Sequence, residues 1–480
     1  MERETGGAPS FHIRTLGCKV NRAESEAIAA EFACAGWRMA AGAHDADVVV
    51  VNTCTVTGEA DRKNRKLIRR MLDEGDCPVL VCGCAVNIDA GFYADMDGRV
   101  VCESDKTLVV KRAGELARAA RAAAEAKTET TSAAAKAAPE TAKATPDEAD
   151  TAGATRAEGT TPDAEAAGAA KRRVQAIEAL REAGGLRTRA DLKIQDGCDS
   201  ACTFCIVHVA RGPARSTPSA GVLAQADELV QAGAAEIVLV GIDIAAWRED
   251  VDGERRDLAW LAGQLLARTG AGRVRLSSIE PHNLSARLVD AFAAHDGRLA
   301  RHAHVCLQSG SDKVLREMGR RYTAQGFLDK VDELRAAVPS IALSTDAIVG
   351  FPGETDEDFE RTCEMARRCA FMRLHVFRYS PRPGTPAAAR ADQVDRRTSA
   401  ARSEKLQAIG RELAARDMQM RVGDTELVLM EQPRRGTSES YHTVKLDRDA
   451  GVGAGPGRLV PVRFTDVDEE GGVLVGQALL

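Results

Sequence analysis

Short apolar strands alternate with helical segments through much of this 480-residue chain, and this alternation restricts its fold more than any other feature. The predicted strands cover residues 236–240, 273–278, 304–307, 341–349 and 374–377, and the predicted helices cover 220–231, 258–268, 285–294, 325–337 and 356–368. Each strand ends in a polar or glycine-containing loop. Repeated βα units of this length predict a partial or full β/α barrel, with active-site groups at the carboxyl ends of its strands.

A second strand–helix pattern lies nearer the N-terminus. Strands are predicted at 11–16, 47–51 and 78–82, with helices between them. The run 47–51 is apolar without interruption, as in a parallel strand that is buried on both faces. We therefore predict an α/β protein whose N-terminal domain, residues 9–110, is a parallel sheet that binds ligands outside the carboxyl ends of its strands.

Two further segments complete the predicted domain organisation. Residues 111–186 are rich in Ala and are predicted to be a largely disordered, low-complexity linker ahead of a barrel at 187–418, because residues 128 to about 170 have almost no side chain to bury. Helices are expected at 111–127 and 174–183. Residues 419–480 are predicted to form a small β-barrel, because short β-like runs there are separated by glycine-rich turns. The runs cover 426–430, 441–446, 458–464 and 472–476.

Composition excludes several classes of protein. The formal net charge is −6 and the aromatic fraction is 4%, so any nucleic-acid binding must depend on local charge. The first ten residues are polar, and no apolar run approaches the roughly 18 residues that a membrane span needs. The 13 cysteines are therefore expected to be thiols and metal ligands in a reducing compartment. We expect a cytoplasmic monomer without a membrane partner.

Three cysteines, Cys198, Cys202 and Cys205, follow a predicted strand with the spacing Cys-x3-Cys-x2-Cys. Three thiolates on one short loop can hold three irons of a 4Fe–4S cluster and leave the fourth iron open to a ligand. The alternative is a structural zinc loop, which needs a fourth protein ligand, and His208 is the nearby candidate. Phe204, just before the last cysteine, favours the cluster.

Three more cysteines, Cys18, Cys54 and Cys84, each fall just past the carboxyl end of a predicted strand in the N-terminal domain. Their shared position predicts three thiolates on one edge of one sheet, where they could bind a second cluster. The alternative for each is a buried thiol without a ligand role. The remaining cysteines of this domain do not share the position and are interpreted as structural: Cys34, Cys77, Cys82 and Cys102.

The pattern Cys-x3-Cys-x-Phe-Cys resembles the signature of the radical S-adenosylmethionine (SAM) enzymes. A three-cysteine α/β domain ahead of such a barrel resembles the methylthiotransferases of that superfamily, over nearly the whole chain apart from the linker. The stretches Leu-Gln-Ser-Gly-Ser at 307–311, Met-Gly-Arg-Arg-Tyr-Thr at 318–323 and Gly-Phe-Pro-Gly-Glu-Thr at 350–355 also match. His208 and Thr217 depart from the family, which usually has Pro and a basic residue there.

The residues around Cys18 bear on the substrate that the resemblance implies. Residues 15–21, Thr-Leu-Gly-Cys-Lys-Val-Asn, look like the version in enzymes that methylthiolate N6-threonylcarbamoyladenosine (t6A) beside the tRNA anticodon. Relatives that act on isopentenyladenosine usually carry Gln-Met after the cysteine, and those that act on a ribosomal-protein side chain usually carry Pro-Lys. The implied reaction is methylthiolation of C2 of t6A at position 37, with these two substrates as alternatives. A non-catalytic iron–sulfur or zinc RNA-binding protein is a further alternative.

The resemblance also implies the cofactors, which are SAM and two 4Fe–4S clusters. The cysteines at 198, 202 and 205 would hold the cluster that binds and cleaves SAM, and those at 18, 54 and 84 would hold an auxiliary cluster that carries the sulfur. Polar and glycine-containing strand ends suit a nucleoside cofactor. The predicted SAM contacts are Phe204, Gly241, Asp243, Glu280, Gln308, Ser309 and Gly350.

Local basic clusters indicate RNA contact. The helix at 61–70 is dense in positive charge, which is typical either of a solvated face or of a surface that follows phosphates. The C-terminal barrel resembles the TRAM module, an RNA-binding β-barrel, with a capping domain as the alternative. The predicted RNA contacts are Arg62, Lys63, Arg211, Arg215, Arg434, Arg435, Tyr441 and Lys445. The expected partners are the tRNA anticodon loop, an electron-donor protein and a sulfur source.

Overall fold

A computed structural model describes residues 7–135, 162–295, 297–448 and 455–479. The N-terminal elements are β1 (Ser10–Thr15), α1 (Lys19–Cys34), β2 (Arg38–Met39), β3 (Val48–Thr53), α2 (Gly58–Glu74), β4 (Val79–Gly83), α3 (Cys84–Ala94) and β5 (Val100–Glu103). They form a 5-stranded parallel sheet in the order β2-β1-β3-β4-β5. Residues 48–51 are fully buried, because the sheet is covered on both faces. The register pairs Thr15 with Asn52 and Thr53 with Gly83, so β1, β3 and β4 end at one edge.

Two helices lie where the disordered linker is predicted, namely α4 (Val109–Ala135) and α5 (Pro162–Glu182). Ile177 and Leu180 of α5 are buried in the cluster that contains Phe32 of α1, and Val174 packs against the same cluster. The helical spacing of these three apolar residues explains why α5 packs on α1. The helices expected at 111–127 and 174–183 are therefore present, whereas the prediction of disorder is wrong for 128–135 and 162–170. The central part, 136–161, lies outside the described residues.

The central region contains β6 (Arg189–Lys193), β7 (Gln195–Asp196), α6 (Val207–Arg211), β8 (Arg215–Ser216), α7 (Ser219–Gln231), β9 (Glu236–Val240), β10 (Arg248–Val251), β11 (Glu254–Asp257), α8 (Leu258–Arg268), β12 (Arg273–Leu276), β13 (Ser278–Ile279), α9 (Ala286–Ala294), β14 (His302–Val305), α10 (Asp312–Glu317), α11 (Ala324–Ala337), β15 (Ala342–Val349), α12 (Asp356–Cys369), β16 (Arg373–Arg378) and α13 (Arg396–Met420). A 3-stranded sheet, β12-β9-β6, and a 4-stranded sheet, β13-β14-β15-β16, are both parallel. Because β12 and β13 are consecutive in the chain, the two sheets continue into each other, and the predicted β/α architecture is confirmed in its partial form.

The two faces of these strands have different partners. Alternate residues such as Ile237 and Leu239 pack into one large apolar core with the surrounding helices. We call the opposite face, turned away from the helices, the inner face. On β9 the inner face presents Val238 and Val240, which form a small buried cluster with Val20 and Ala23 of α1. The N-terminal domain therefore covers the inner face at one edge of the partial barrel.

The C-terminal elements are β17 (Thr425–Gln432), β18 (Arg435–Ser438), β19 (Thr443–Leu446), β20 (Leu459–Asp468) and β21 (Val473–Ala478). They close into a barrel in the order β17-β18-β19-β21-β20, so the predicted small β-barrel is present. The predicted strand at 441–446 starts later, at Thr443, because Tyr441 has a φ of 70°, which is not a strand conformation. No helix among the described residues is long and apolar enough to cross a membrane.

Buried arginines of β12 hold the C-terminal barrel against the central domain. Arg273 donates to the backbone carbonyls of Leu427 and Thr437, and Arg275 donates to those at 438 and 439. Both guanidinium groups also pair with Glu236, which is itself fully buried. Against the effect of burial, the two arginines lower the pKa of Glu236 to about 2. The junction therefore contains an ionised, fully hydrogen-bonded cluster rather than an apolar seam.

Candidate active site

Cys18, Cys54 and Cys84, which we call the N-terminal triad, follow the adjacent ends of β1, β3 and β4. The Sγ atoms of Cys18 and Cys84 each lie 3.9 Å from Oδ1 of Asn21, a buried residue in the first turn of α1. Gly17 has a φ of +116°, and a Cβ there would lie 2.7 Å from Cβ and 3.1 Å from Sγ of Cys54. The sheet thus brings together three cysteines that follow separate strands, and the glycine permits their close approach.

Cys198, Cys202 and Cys205, the loop triad, lie between β7 and α6. Backbone amides two residues further along the chain donate to the Sγ atoms of Cys198 and Cys205, each at 3.4 Å. Gly197 has a φ of +68°, and a Cβ there would lie 1.9 Å from the carbonyl oxygen of Pro213. The loop is therefore closed tightly against the turn after α6, with donors already aimed at two of its sulfur atoms.

Neither triad is grouped as closely as the ligands of a tetrahedral zinc ion. Tetrahedral zinc with Zn–S bonds of about 2.3 Å places its sulfur ligands roughly 3.8 Å apart. Among the described residues, a single group of His, Cys, Asp or Glu has all its ligand atoms within 4.8 Å of one another, and it contains neither triad. His208, the candidate fourth zinc ligand, is exposed on α6. Three thiols in each triad fit a 4Fe–4S cluster with one open iron.

Burial changes the acidity of these thiols. It raises the pKa of Cys54 and of Cys205 to about 11, and it also raises the pKa of Cys84 and of Cys202. Without a bound cation these four thiols stay protonated at neutral pH. Iron binding must therefore release protons, so cluster loading should improve as the pH rises.

Arg211 connects the N-terminal triad to the segment that carries the loop triad. The prediction that it contacts RNA is wrong, because the side chain is buried. Its side chain is only 5% exposed. Nε donates to Sγ of Cys84 at 3.2 Å and Nη2 to Oδ1 of Asn21 at 2.6 Å. Nη1 donates to Oε1 of Glu24 at 2.9 Å and to Oδ1 of Asp196 at 2.8 Å. The arginine that ends α6, directly after the loop triad, is thereby fixed against the N-terminal triad.

Charged groups lie at the strand ends next to the loop triad. Nη1 of Arg320 donates to both carboxylate oxygens of Glu280, at 2.7 and 2.8 Å. The Cζ atom of Arg320 lies 5.6 Å from the ring centroid of Phe204. Asp243 is buried and accepts from Nδ2 of Asn283 at 2.6 Å. Burial and the neighbouring Glu280 raise the pKa of Asp243 to about 6. Three predicted SAM contacts are therefore close together beside the loop triad.

Ser309 and Gly350, two other predicted SAM contacts, have partners in the helical layer, and their SAM contacts stay a prediction. Ser309 is fully buried, and its hydroxyl lies 3.3 Å from Oγ1 of Thr362 in α12. The amide of Gly350 donates to Oε2 of Glu354, and a Cβ at this position would lie 2.7 Å from Oγ of Ser399. Both residues face the helical layer, because tight loops after β14 and β15 direct them there.

Gln308 and Gly241 remain predicted SAM contacts at the strand ends. Gln308 has a φ of 61°, and it exchanges backbone hydrogen bonds with Asp346 and Ile348 of β15. At Gly241, a Cβ would lie 2.9 Å from Oε1 of Gln195, an oxygen that also accepts from the amides of residues 242 and 243. The loop after β9 is therefore held close to β7, which precedes the loop triad.

The inner face of β14, β15 and β16 carries polar residues that no motif predicted. Nε2 of His304 lies 3.4 Å from Oδ2 of Asp346, and His304, Asp346 and Cys306 together have ligand atoms within 4.8 Å of one another. His375 of β16 is paired in register with Asp346. The signal that could have found them is alternation: Leu374 and Val376 are apolar and pack on the helical core, so the residues at 373, 375 and 377 must face inward.

Tyr441 lies at the junction of all three folded parts rather than on the outer surface of the C-terminal barrel, and its RNA contact stays a prediction. Its ring centroid is 4.7 Å from that of His302, and it is surrounded by four cations. They are Lys19 at 5.2 Å, Arg189 at 5.4 Å, Arg275 at 4.6 Å and Arg373 at 5.4 Å. The positive φ of Tyr441 turns the side chain out of the C-terminal barrel toward the inner face, which sequence patterns could not indicate.

The other predicted RNA contacts lie on exposed surfaces. Arg434, Arg435 and Lys445 line one pocket of about 460 Å³ on the C-terminal barrel. Arg62 and Lys63 are exposed on α2, and the side chain of Lys63 pairs with Glu59. Arg215 is also exposed, with 57% of its side-chain surface accessible. These six cations therefore divide between the C-terminal barrel, α2 and the turn after α6, and their RNA contacts stay a prediction.

Comparison with known proteins agrees with this architecture. The profile of the radical SAM superfamily matches residues 192–366, and that of uncharacterized protein family UPF0004 matches residues 10–99. The chain is 35% identical over 409 residues to threonylcarbamoyladenosine tRNA methylthiotransferase MtaB of Bacillus subtilis, covering 84% of this chain and 80% of that protein. It is 29% identical to the protein of the same name from Thermotoga maritima, over 96% of each chain.

A relative with a different substrate name is also similar. The tRNA-2-methylthio-N(6)-dimethylallyladenosine synthase of Sphingopyxis alaskensis is 31% identical over 433 residues, covering 90% of this chain and 88% of that protein. The domain match and the loop triad define a radical SAM enzyme. The chain belongs to the radical SAM methylthiotransferase family, whose members transfer sulfur and use SAM with two 4Fe–4S clusters.

Proposed function

We propose that this enzyme methylthiolates C2 of t6A at position 37 of tRNA, next to the anticodon. The observation that carries the proposal is that Arg211 binds both Cys84 of the N-terminal triad and Asp196, just before the loop triad, in a chain that is 35% identical to a t6A methylthiotransferase. An adenosine in the anticodon loop is single-stranded, so its base can leave the stack and enter a protein pocket. Acting on tRNA, the enzyme would work in the cytoplasm with an electron-donor protein and a sulfur source.

In this proposal the two triads have different tasks. The loop triad would hold the SAM-binding cluster and the N-terminal triad the auxiliary cluster that carries sulfur. When bound, the first cluster supplies the electron for reductive cleavage of SAM. Asp243, Glu280 and the backbone around Gly241 would bind the amine and ribose of SAM. Arg211 holds a positive charge 3.2 Å from Sγ of Cys84 and so stabilises the thiolate form of this ligand.

The RNA would contact cations outside the reaction centre. Arg434, Arg435 and Lys445 share a pocket on the C-terminal barrel, and Arg62 and Lys63 lie on an exposed helix face, so both surfaces are open to phosphates. These contacts carry little sequence information. They would position the tRNA, while the central domain selects the nucleoside.

The decisive test is mass spectrometry of tRNA nucleosides from cells with and without this gene. We expect 2-methylthio-t6A to disappear and t6A to accumulate in the deletion strain, and both changes to reverse when the gene is restored. A complementing gene with Cys202→Ser should not restore the product. An unchanged nucleoside profile in the deletion strain would contradict the proposal.

The second candidate function is methylthiolation of the dimethylallyl- or isopentenyl-modified adenosine, which the similarity to the Sphingopyxis enzyme favours. The same experiment separates the two, because that activity predicts loss of the methylthio form of isopentenyladenosine and an unchanged level of 2-methylthio-t6A. Identity to the two kinds of relative is similar, at 35% and 31%, so a structural feature near the site must decide between them.

A further inference from the structure

One wall of the inner face is open and carries an ordered row of side chains. Arg373, His375 and Phe377 alternate along β16 with Leu374 and Val376, which pack against the helical core. In register, the three inward residues lie beside positions 344, 346 and 348 of β15. Phe377 is 45% exposed and His375 is also exposed, so a ligand can reach this row. Phe377 lies toward the carboxyl end of the strand, where the SAM contacts lie, and Arg373 lies at the other end.

Two cations at the far end of the row lack counter-ions. Nζ of Lys19 and Cζ of Arg373 lie 5.2 and 5.4 Å from the ring centroid of Tyr441, and neither side chain forms an ion pair with a carboxylate of the described residues. The other two cations around Tyr441 do have carboxylate partners: Arg189 pairs with Glu431, and Arg275 shares Glu236 with Arg273. The inner face therefore ends in two positive charges without a partner.

The same positive charges shift the pKa values of neighbouring groups. Although burial opposes it, Lys19, Arg189 and Arg275 lower the pKa of Tyr441 to about 8. His302, which contacts the tyrosine ring, has its pKa lowered well below the ordinary value by burial and by Arg275, so it stays neutral and adds no charge that an anion would have to share. Nδ1 of this histidine is buried and has no hydrogen-bond partner among the described residues.

We propose that Lys19 and Arg373 bind the carboxylate of the threonyl group of the substrate nucleoside, while the ring of Phe377 packs against its base. This inference rests on the proposed function and deepens it. A threonylcarbamoyl group ends in a carboxylate that is ionised at neutral pH, which matches a guanidinium fork and an ammonium. A dimethylallyl group is neutral and apolar, so it would remove water from both cations without neutralising them.

The same two residues therefore provide substrate specificity. Lys19 directly follows Cys18 of the N-terminal triad, and Arg373 comes from the last strand of the partial barrel. The carboxylate subsite is complete only when the N-terminal domain is docked on the inner face through Val20 and Ala23. Positioning of the nucleoside and positioning of the sulfur-carrying cluster are thereby coupled through one turn of α1.

The test compares two forms of one tRNA, the first with t6A and the second with t6A converted to its methyl ester, which has no negative charge. The reconstituted wild-type enzyme should methylthiolate the t6A form with a kcat/KM roughly 10- to 100-fold above that of the ester, the range expected for hydrogen bonds to a charged group. Arg373→Met should lower kcat/KM on the t6A form by a similar factor, mainly through KM, and leave the ester form within about twofold. Lys19→Met should act in the same direction.

Two controls keep the result interpretable. Arg378→Met changes the same residue type on the same strand, but on an exposed position of the opposite face, and should affect both tRNAs equally. Arg373→Lys keeps the charge and should retain most of the preference for the t6A form. Iron content and SAM cleavage of each variant show whether Lys19→Met has disturbed the cluster next to it.

The outcomes separate this inference from the proposed function. A wild-type enzyme that cleaves SAM but modifies neither tRNA contradicts the proposed function. A wild-type enzyme that modifies t6A, with the preference over the ester unchanged in Arg373→Met and Lys19→Met, overturns the carboxylate subsite alone. Equal losses on both tRNAs in these variants would also overturn it, since such losses reflect a role in folding or cluster binding.

Discussion

The loop triad and the N-terminal triad are built in different ways. The loop triad occupies one short segment between β7 and α6, and two of its sulfur atoms accept hydrogen bonds from amides of that same segment. The N-terminal triad takes one cysteine from beyond each of three strands and exists because parallel strands end at one edge of a sheet. The first depends on local backbone geometry and the second on the register of a whole domain. A change in one should therefore leave the other largely intact, except through Arg211.

The largest expected effect comes from removing one cysteine of each triad. Cys202→Ser should lower SAM cleavage to background and leave about four irons, whereas Cys54→Ser should keep SAM cleavage, form no methylthio product and also leave about four irons. Iron content and the yield of 5′-deoxyadenosine measure this difference. Cys34→Ser, which changes an exposed thiol of α1, is the matched control and should retain both activities. Loss of SAM cleavage in Cys54→Ser would show that the two triads are not independent.

Arg211 tests the contact between the N-terminal triad and the segment that carries the loop triad. Arg211→Met leaves the carboxylates of Glu24 and Asp196 without one of their partners, and breaking such a buried ion pair typically costs about 3–5 kcal/mol. Arg215→Met is the control, because that side chain is 57% exposed, and it should change stability by less than about 0.5 kcal/mol. Urea unfolding of the cluster-free protein measures both. Equal effects would mean that Arg211 does not join the two domains.

The pH dependence of stability should have opposite signs for Asp243, near the loop triad, and for Glu24, near the N-terminal triad. Burial raises the pKa of Asp243 from 3.8 to about 6, so the folded protein holds this proton more tightly than the unfolded chain. Stability should therefore fall as the pH rises from about 4 to about 6, by up to roughly 3 kcal/mol relative to Asp243→Asn. Near the N-terminal triad, burial of Glu24 is outweighed by the positive charges of Lys106, Arg211 and Lys193, which lower its pKa. The stability that ionised Glu24 contributes is therefore lost only as the pH falls below about 4.5.

Urea unfolding at pH 4, 5, 6 and 7, with wild-type protein and Asp243→Asn side by side, measures this contribution. The difference between the two proteins removes the titration of all other groups. A difference that does not change between pH 4 and 6 would contradict the altered acidity of Asp243.

The smallest expected effects concern the glycines that close the two sites. Gly197→Ala should cost roughly 2–3 kcal/mol, since a Cβ would meet a backbone oxygen at 1.9 Å, and Gly17→Ala about 1–2 kcal/mol, since it meets the Cys54 side chain at 2.7 Å. Gly36→Ala is the control, with a φ of +79° and no atom within 4 Å of the added Cβ, and should cost about 1 kcal/mol. Thermal unfolding measures the order of these three stability losses. A smaller loss for Gly197→Ala than for Gly36→Ala would contradict the close backbone contact at Gly197.

Several side chains could not be assigned from the sequence because their role depends on which domain faces them. Arg211 and Tyr441 are residue types that commonly bind RNA, yet one is enclosed by Glu24, Asp196 and Asn21, and the other is turned into the domain junction by a positive φ. Ser309 follows a strand end, as cofactor contacts do, but its hydroxyl faces Thr362. Burial and partner choice are properties of the packed structure and leave no local pattern.

The sequence by itself determined the two α/β units, the small C-terminal barrel and the two sets of three cysteines, because strand periodicity and cysteine position are set by residues close together in the chain. Only the tertiary structure decided that α1 covers the inner face, that Arg211 joins the triads, and that Lys19 and Arg373 meet at Tyr441. The physical reason is that an electrostatic site depends on distances between charges, and those distances are established only when the three domains pack together.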